Sequence, residues 1–123
     1  MMEDTEHYQE RLVERRGHAL MTPELRAALP PLYATEDDDG ARAVVKYFTP
    51  RAGWTWWAFE FDPEDGRFFG LVSGIEVEWG YFSLEELDCD RRGVPLVERD
   101  LYAGVLPTKG ELTAAASAAR GGV

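Results

Sequence analysis

The stretch GWTWWAFEFD, residues 53–62, decides the fold class because it combines strand-forming residues with an alternating pattern. Five of its ten residues are tryptophan or phenylalanine. In an extended strand, successive side chains point to opposite faces of the sheet. We therefore expect one face, in the core, to carry Thr55, Trp57, Phe59 and Phe61. The opposite face is expected to carry Trp54, Trp56, Ala58, Glu60 and Asp62.

The second face of this strand raises a question about binding. Trp54 and Trp56 share it with Glu60 and Asp62, whose carboxylates should be hydrated. Two interpretations stay open at this point. Either helices cover that end of the sheet, or the two tryptophans stand partly exposed and contact a partner, as exposed aromatic patches often do.

Neighbouring segments predict further strands. ARAVVKYF (41–48), RFFGLVSG (67–74) and IEVEWGYF (75–82) are rich in β-branched and aromatic residues, and DPEDG (62–66) is a strong turn signal. The last of these strands is expected to point Ile75, Val77, Trp79 and Tyr81 inward, with Glu76 and Glu78 outward. Short connections favour antiparallel pairing. The predicted fold class is α+β, an antiparallel meander of about four strands packed on one face by short helices.

Two helix starts have clear signals. Thr22 can cap a helix that has Pro23 at its first position, and the next prolines end it after about two turns. Ser83 followed by Glu86 has the spacing of a capping box. The segment LVERDLYA (96–103) is interpreted as a short final strand or an extended segment.

The predicted domain organisation is simple. Residues 1–19 are expected to form a weakly structured N-terminal segment, with a short helix over residues 4–16. Residues 20–106 are expected to form a single α+β domain. Residues 107–123 are expected to be a flexible tail beyond one helix turn.

Charge is the strongest compositional signal. The formal net charge is −10, and residues 60–90 hold ten acids against Arg67 alone, a net −9. Such a field repels nucleic acid and anionic membranes and attracts a protein partner with a basic surface, although an acidic surface often serves only to keep a protein soluble. A charged N-terminus and the lack of an apolar run of 18 residues predict a cytoplasmic protein with no membrane partner.

Motifs of catalysis are not found in the sequence. It has no phosphate-binding loop, nucleophile elbow or zinc-protease motif, and its one cysteine excludes an intramolecular disulfide. Glu60, Asp62, Glu76 and Glu78 would converge only if the second and fourth strands lay close together. Paired carboxylates can bind hard cations or transfer protons, although acids on a strand are more often solvated. We expect no catalytic residue, cofactor or metal.

A series of blocks along the chain resembles a known family. The blocks are LMTPELRAALPPLYATED (20–37), VVKYFTPRAGWTWWAFEFD (44–62), FFGLVSGIEVEWGYFSLEEL (68–87) and VERDLY (97–102). In this order they resemble domain-of-unknown-function family 2958 over about residues 20–103. The resemblance implies a small bacterial protein of plasmids and integrative elements, encoded near replication, transfer or antirestriction genes. No activity or catalytic residue is assigned to that family.

Three hypotheses follow for the function. The first is a non-enzymatic acidic protein that occupies the DNA-binding groove of a host defence protein through Glu76, Glu78, Glu85 and Glu86. The second is an adaptor that binds a plasmid protein through Trp54 and Trp56. The third is a small carboxylate-based metal protein or enzyme that uses Glu60, Glu76 and Glu78. The charge and the implied genetic setting favour the first.

Overall fold

The structure is a computed structural model that describes residues 8–89 and 96–121. Four helices and five strands are formed by these residues. In chain order they are α1 (Val13–Arg16), α2 (Pro23–Ala28), β1 (Val45–Phe48), β2 (Thr55–Asp62), β3 (Arg67–Ser73), β4 (Val77–Ser83), α3 (Leu84–Leu87), β5 (Glu98–Arg99) and α4 (Lys109–Gly121).

The strands form one antiparallel sheet in the order β4-β3-β2-β1-β5. Strands β1 to β4 follow one another as hairpins, which confirms the predicted α+β class and the meander of about four strands. The fifth strand is short and comes from the segment 96–103, where it pairs with the free edge of β1. Antiparallel neighbours dominate because connections this short cannot cross over to a parallel strand.

Local capping signals are confirmed. The Thr22 hydroxyl accepts a hydrogen bond from the Leu25 N–H at 3.1 Å, with Pro23 at the first helical position. At α3, the Ser83 and Glu86 side chains each accept from the other's backbone N–H. These bonds satisfy N–H groups that have no partner inside a helix.

The first face of the sheet carries the larger core. Phe61, Phe68 and Phe82 lie side by side across β2, β3 and β4, and the hydroxyl of buried Tyr47 donates to the Leu20 carbonyl at 2.8 Å. Leucines of the N-terminal region and α3 close this core from outside. Burying each of these aromatic side chains contributes about 1.5–3 kcal/mol.

A β-bulge in β2 changes the predicted faces. Ala58 pairs with Gly70 but Glu60 pairs with Phe69, so Phe59 is an extra residue in the ladder. Beyond the bulge the alternation reverses: Phe61 joins the face of Trp56, and Glu60 joins the face of Phe59. The expectation that Phe59 and Phe61 share a face is therefore wrong, and so is the expectation that Glu60 is hydrated, since only 2% of it is exposed.

The second face carries a smaller core that the sequence analysis did not predict. Phe59 and Leu71 pack there against Leu112 of α4, with Trp57 and Trp79 partly buried beside them. Helices therefore cover both faces of the sheet, whereas the alternation pattern predicted packing on one. The ring centroid of Trp57 also lies 6.0 Å from the Lys46 ammonium.

Strand β4 lies at the edge of the sheet, and its side chains are more exposed than predicted. Ile75, Val77 and Tyr81, all expected to point inward, are 92%, 37% and 47% exposed. Helix α4 packs on the middle strands through Leu112. Trp79 alone of the four predicted residues is half-buried.

The C-terminal segment, expected to be a flexible tail, contains the 13-residue helix α4. Thr108 and Glu111 form a reciprocal cap at its start, at 2.9 and 3.0 Å. Backbone bonds from Lys109 and Gly110 to the carbonyls of Ala41 and Asp39 fasten this end to the segment before β1. Residues 122 and 123 lie outside the described residues.

The N-terminal segment also differs from the expectation of weak structure. The Arg16 guanidinium is buried and donates to Asp88 at 2.8 Å, to Glu10 at 3.2 Å and to the Val97 carbonyl at 2.7 Å. The expected helix over 4–16 is confined to α1 in the described part, and its first residues lie outside the described residues. Where the domain boundaries fall stays a prediction.

Candidate functional site

A cavity of about 280 Å³ opens on the second face of the sheet, between α4, the loop before β1 and the outer strands. Charged and aromatic side chains line it together. Its lining residues are Tyr33, Glu36, Asp39, Glu60, Phe69, Trp79, Tyr81, Lys109 and Thr113.

The Glu60 carboxylate lies in the wall of this cavity and is nearly saturated with donors. One oxygen accepts from the Tyr33 N–H at 2.7 Å, and the other accepts from the Thr35 N–H at 2.8 Å and from the Thr35 hydroxyl. Tyr33 has a φ of 75°, in the left-handed region that costs a residue with a side chain about 1–2 kcal/mol. The loop thus adopts an unfavourable backbone conformation while it wraps around the carboxylate.

Lys109 supplies the opposite charge. Its ammonium donates to the Thr35 carbonyl at 2.6 Å and lies 3.9 Å from the nearer Glu60 oxygen. It also lies 5.4 Å from the Phe69 ring centroid and 5.8 Å from that of Phe59. Lys109 is the first residue of α4, so the cap and backbone bonds that fix the helix start also fix this cation.

Aromatic rings form the remaining wall. Phe69 stacks on Trp79 with centroids 6.1 Å apart and meets Tyr81 edge-on at 5.2 Å. A hydrogen bond with the Tyr33 side chain raises the pKa of Tyr81 above its ordinary value.

We expect Glu60→Gln to lower the free energy of unfolding by about 2–4 kcal/mol. The amide would turn an NH2 group toward backbone donors and leave the Lys109 charge uncompensated. Urea denaturation measures the change. The control is Glu64→Gln, which alters an exposed residue and should change the free energy of unfolding by less than about 0.5 kcal/mol. Equal stability of the two variants would contradict the importance of this buried pair.

A second cavity, of about 360 Å³, contains the predicted tryptophans. Trp54 and Trp56 are half-buried and stack on one another with centroids 5.9 Å apart and an angle of 24°. Trp56 packs partly against the larger core, and the Trp54 ring lies directly over Gly74. The tryptophan pair is therefore partly covered and partly exposed. Glu86 and Val97 also line the cavity that contains it.

The other predicted site residues are dispersed. Glu76, Glu78, Glu85 and Glu86 are exposed along β4, the turn before it and α3. Asp62 ends β2, where its side chain accepts from the Glu64 N–H in the turn. The condition for convergence of the four acids is not met, because β3 separates β2 from β4. Glu78 pairs with Val72, which packs against the larger core, whereas Glu60 lies beside Lys109 on the second face. Within residues 8–89 and 96–121, no group of three His, Cys, Asp or Glu could hold a metal ion.

Sequence reasoning missed most of the first cavity. Lys109 comes from the segment expected to be a flexible tail, and Glu36 and Asp39 come from an acidic loop that the sequence analysis did not single out. One signal was available: Thr108 and Glu111 have capping-box spacing, which predicts a helix start beside Lys109. No local signal predicts the bulge that turns Glu60 toward this cavity.

The fold defines an α+β protein built on a five-stranded antiparallel sheet. A family model described as "Protein of unknown function (DUF2958)" matches residues 20–122, so the chain belongs to that family. This confirms the resemblance, and the match continues through α4. No curated protein and no solved structure is significantly similar to the chain. Among the described helices, none is long and apolar enough to cross a membrane.

Proposed function

We propose that this protein is a non-enzymatic binding protein that presents an acidic surface to a protein partner with a basic surface. The observation that carries the proposal is the imbalance of exposed charge. Among residues 8–89 and 96–119, the exposed acids are Glu14, Glu24, Glu36, Asp37, Asp38, Asp39, Glu64, Asp65, Glu76, Glu78, Glu85, Glu86 and Glu111. The exposed bases in the same residues are Arg11, Arg15, Arg42 and Arg51.

Internal contacts hold several of the basic side chains. Arg16 and Lys109 are buried with carboxylates, and Lys46 lies 3.5 Å from Asp100. The Arg99 side chain donates to the Ala19 carbonyl at 2.9 Å, and Arg67 lies over the Tyr81 ring. Six acids and six bases of residues 8–89 and 96–119 are not exposed, so the exposed net charge of −9 equals their total net charge, while exposed acids outnumber exposed bases by 13 to 4.

Six of the exposed acids lie along one edge of the molecule. Glu76 and Glu78 belong to the turn and edge strand, and Glu85 and Glu86 to the helix that follows. A hydrogen bond of 2.8 Å from the Leu84 N–H to the Gly66 carbonyl brings the β2–β3 turn, with Glu64 and Asp65, to the same end. Arg11 is the exposed base close to Glu85.

This edge suits a surface that binds DNA phosphates. In the setting that the family resemblance implies, a bacterial mobile element, the partner would be a host defence protein whose DNA-binding groove accepts carboxylates in place of phosphates. The protein itself would then not bind nucleic acid, because its field repels it. Such a role requires a cytoplasmic protein and no cofactor.

The test is a competition assay with a purified partner. Partners are first captured from bacterial lysate at low salt, and one that binds DNA is purified. We expect the protein to displace labelled DNA from it, measured by fluorescence anisotropy, with an affinity that falls steeply as salt rises. The variant Glu76→Gln/Glu78→Gln/Glu85→Gln/Glu86→Gln should weaken displacement at least ten-fold, about 1.4 kcal/mol.

Glutamine is chosen because it retains the acceptor that Glu86 offers to the Ser83 N–H. The control pair Glu14→Gln/Glu24→Gln removes exposed charge from α1 and α2 instead and should leave displacement nearly unchanged. Equal losses in Glu76→Gln/Glu78→Gln and in this pair would show that only net charge matters. Failure to displace DNA from any captured protein would contradict the proposal.

The stacked, half-buried tryptophans favour a second candidate, an adaptor that binds a plasmid-encoded protein through Trp54 and Trp56. Trp54→Ala tests it by removing one ring. Gly74→Ala tests it by forcing the Trp54 ring to move, since an added Cβ would lie 2.3–2.4 Å from three atoms of that ring. A partner that stays bound at high salt and is lost in both variants would support the adaptor over the acidic surface.

A further inference from the structure

The first cavity has a neutral floor and an acidic rim. Glu60 and Lys109 offset one another, and each already has backbone partners from the loop at Tyr33 and Thr35. Neither charge is therefore available to a ligand in full. Glu36 and Asp39 line the opening and are exposed, which leaves two uncompensated carboxylates around it. The cavity is complementary to a cation.

The wall of the cavity favours a planar cation. Phe69, Trp79 and Tyr81 line it, and the rings of this face already contact cations inside the molecule. The Arg67 guanidinium lies 4.9 Å from the Tyr81 centroid, and the Lys109 ammonium lies 5.4 Å from that of Phe69. A guanidinium stacks on aromatic faces and pairs with carboxylates through two parallel hydrogen bonds, whereas an ammonium acts as a point charge.

The size of the cavity limits the ligand. Its volume of about 280 Å³ is just below the range of roughly 300–1,000 Å³ that is typical of small-molecule sites. It therefore fits a single long side chain better than a cofactor or a nucleotide. The exposed rim formed by the acidic loop leaves space for the main chain of a partner outside the cavity.

We propose that this cavity is a receptor for one arginine side chain of the basic partner, whose guanidinium lies against Trp79 and Tyr81 and pairs with Glu36 and Asp39. This inference rests on the proposed function, because the arginine would belong to the basic partner protein proposed there. It adds a specific anchor on the second face of the sheet to the diffuse attraction of the acidic edge.

The experiment is an NMR titration of the whole protein with N-acetyl-arginine amide. The probe should shift the Trp79 indole N–H, assigned with Trp79→Phe, and leave the Trp54 and Trp56 indoles unmoved. N-acetyl-citrulline amide has nearly the same shape without the charge and should not bind. N-acetyl-lysine amide should bind several-fold more weakly. Equal binding of citrulline or of lysine would overturn the assignment to a guanidinium.

The acidic loop itself supplies a matched pair of variants. Glu36→Gln/Asp39→Asn removes the two charges at the rim and should weaken arginine binding about five-fold or more. Asp37→Asn/Asp38→Asn removes the same charge from the same loop at residues that do not line the cavity, and should change binding less than two-fold. Equal weakening by both variants would reduce the effect to general electrostatics and overturn the proposal.

The outcome can be separated from that of the proposed function. Absence of any Trp79 shift at millimolar arginine amide would overturn the receptor, even if the partner is still displaced from DNA through the acidic edge. Conversely, specific arginine binding without a DNA-binding partner would support the receptor and contradict only the proposed function.

Discussion

Replacing Gly70 by alanine is expected to lower the free energy of unfolding by about 3 kcal/mol or more. Gly70 lies in β3 opposite Ala58, next to the bulge, where the two backbones approach closely. An added Cβ would lie 1.8 Å from the Trp57 carbonyl oxygen and 2.9 Å from its carbon. Both are backbone atoms of the central strand, so the clash is relieved only by shifting the sheet.

Gly80 provides an internal control for this change. It is the cross-strand neighbour of Gly70 on β4, and an added Cβ there meets nothing within 4 Å. Gly80→Ala should be neutral or slightly stabilising, because a glycine in a strand loses more conformational entropy on folding. In thermal unfolding the two variants should differ by roughly 10 °C or more. Similar melting temperatures would show that β2 and β3 are farther apart than described.

Asp88→Asn is expected to lower the free energy of unfolding by about 3–5 kcal/mol, because it leaves the buried Arg16 guanidinium without its full charge partner. The Asp88 carboxylate also accepts from the Tyr8 hydroxyl at 2.7 Å and from the backbone N–H of Arg11 at 2.6 Å and of Leu12 at 3.2 Å. It thus holds the N-terminal segment against the end of α3. Asp100→Asn, which alters the half-buried pair with Lys46, should cost less than about 1 kcal/mol.

The pH dependence gives a second measure of the same network. Burial by itself would raise the pKa of Asp88, but hydrogen bonds from Arg16, the Arg11 N–H and Tyr8 outweigh it and lower the pKa below 3.8. When the pKa of a carboxyl is lower in the folded than in the unfolded state, the carboxyl stabilises the fold, and this stabilisation is complete at pH values above the pKa of the unfolded state. That stabilisation is lost as pH falls from about 4 through the folded pKa.

Urea unfolding at a series of pH values should therefore show that the free energy of unfolding falls more steeply at acid pH for the parent protein than for Asp88→Asn. Parallel pH profiles of the two proteins would contradict the role assigned to Asp88. The same series on Asp100→Asn should follow the parent.

Much of the fold follows from local signals in the sequence. The turn at 62–66 is formed as predicted, with Gly66 at a φ of 67° and its N–H bonded to the Asp62 carbonyl. The caps at Thr22 and Ser83 also form, since each needs only residues within one turn. Short connections between strands fix the antiparallel meander for the same reason, because the chain has no length to do otherwise.

The candidate site was less predictable, because its residues meet through long-range packing. Trp54 and Trp56 were found from the sequence as an aromatic pair on one strand face, and the structure stacks them. Of the two acids expected on the same strand face, Asp62 lies at the turn that ends β2, and Glu60 is buried on the opposite face of the sheet. Lys109 and Glu60 are 49 positions apart, and nothing local to either residue indicates the other.

The sequence by itself determined the strands, the turns, the helix caps and the acidic balance, all of which depend on neighbours along the chain. Only the tertiary structure decided which side chains face one another. The bulge at Phe59 shifts the register by one residue, and a shift of one exchanges the faces of a strand with a two-residue period. Because of this exchange, Glu60 is buried beside Lys109 and Phe61 packs in the larger core. The register of β2 is set by its pairing with both β1 and β3, since the backbone groups of all three strands must be hydrogen-bonded.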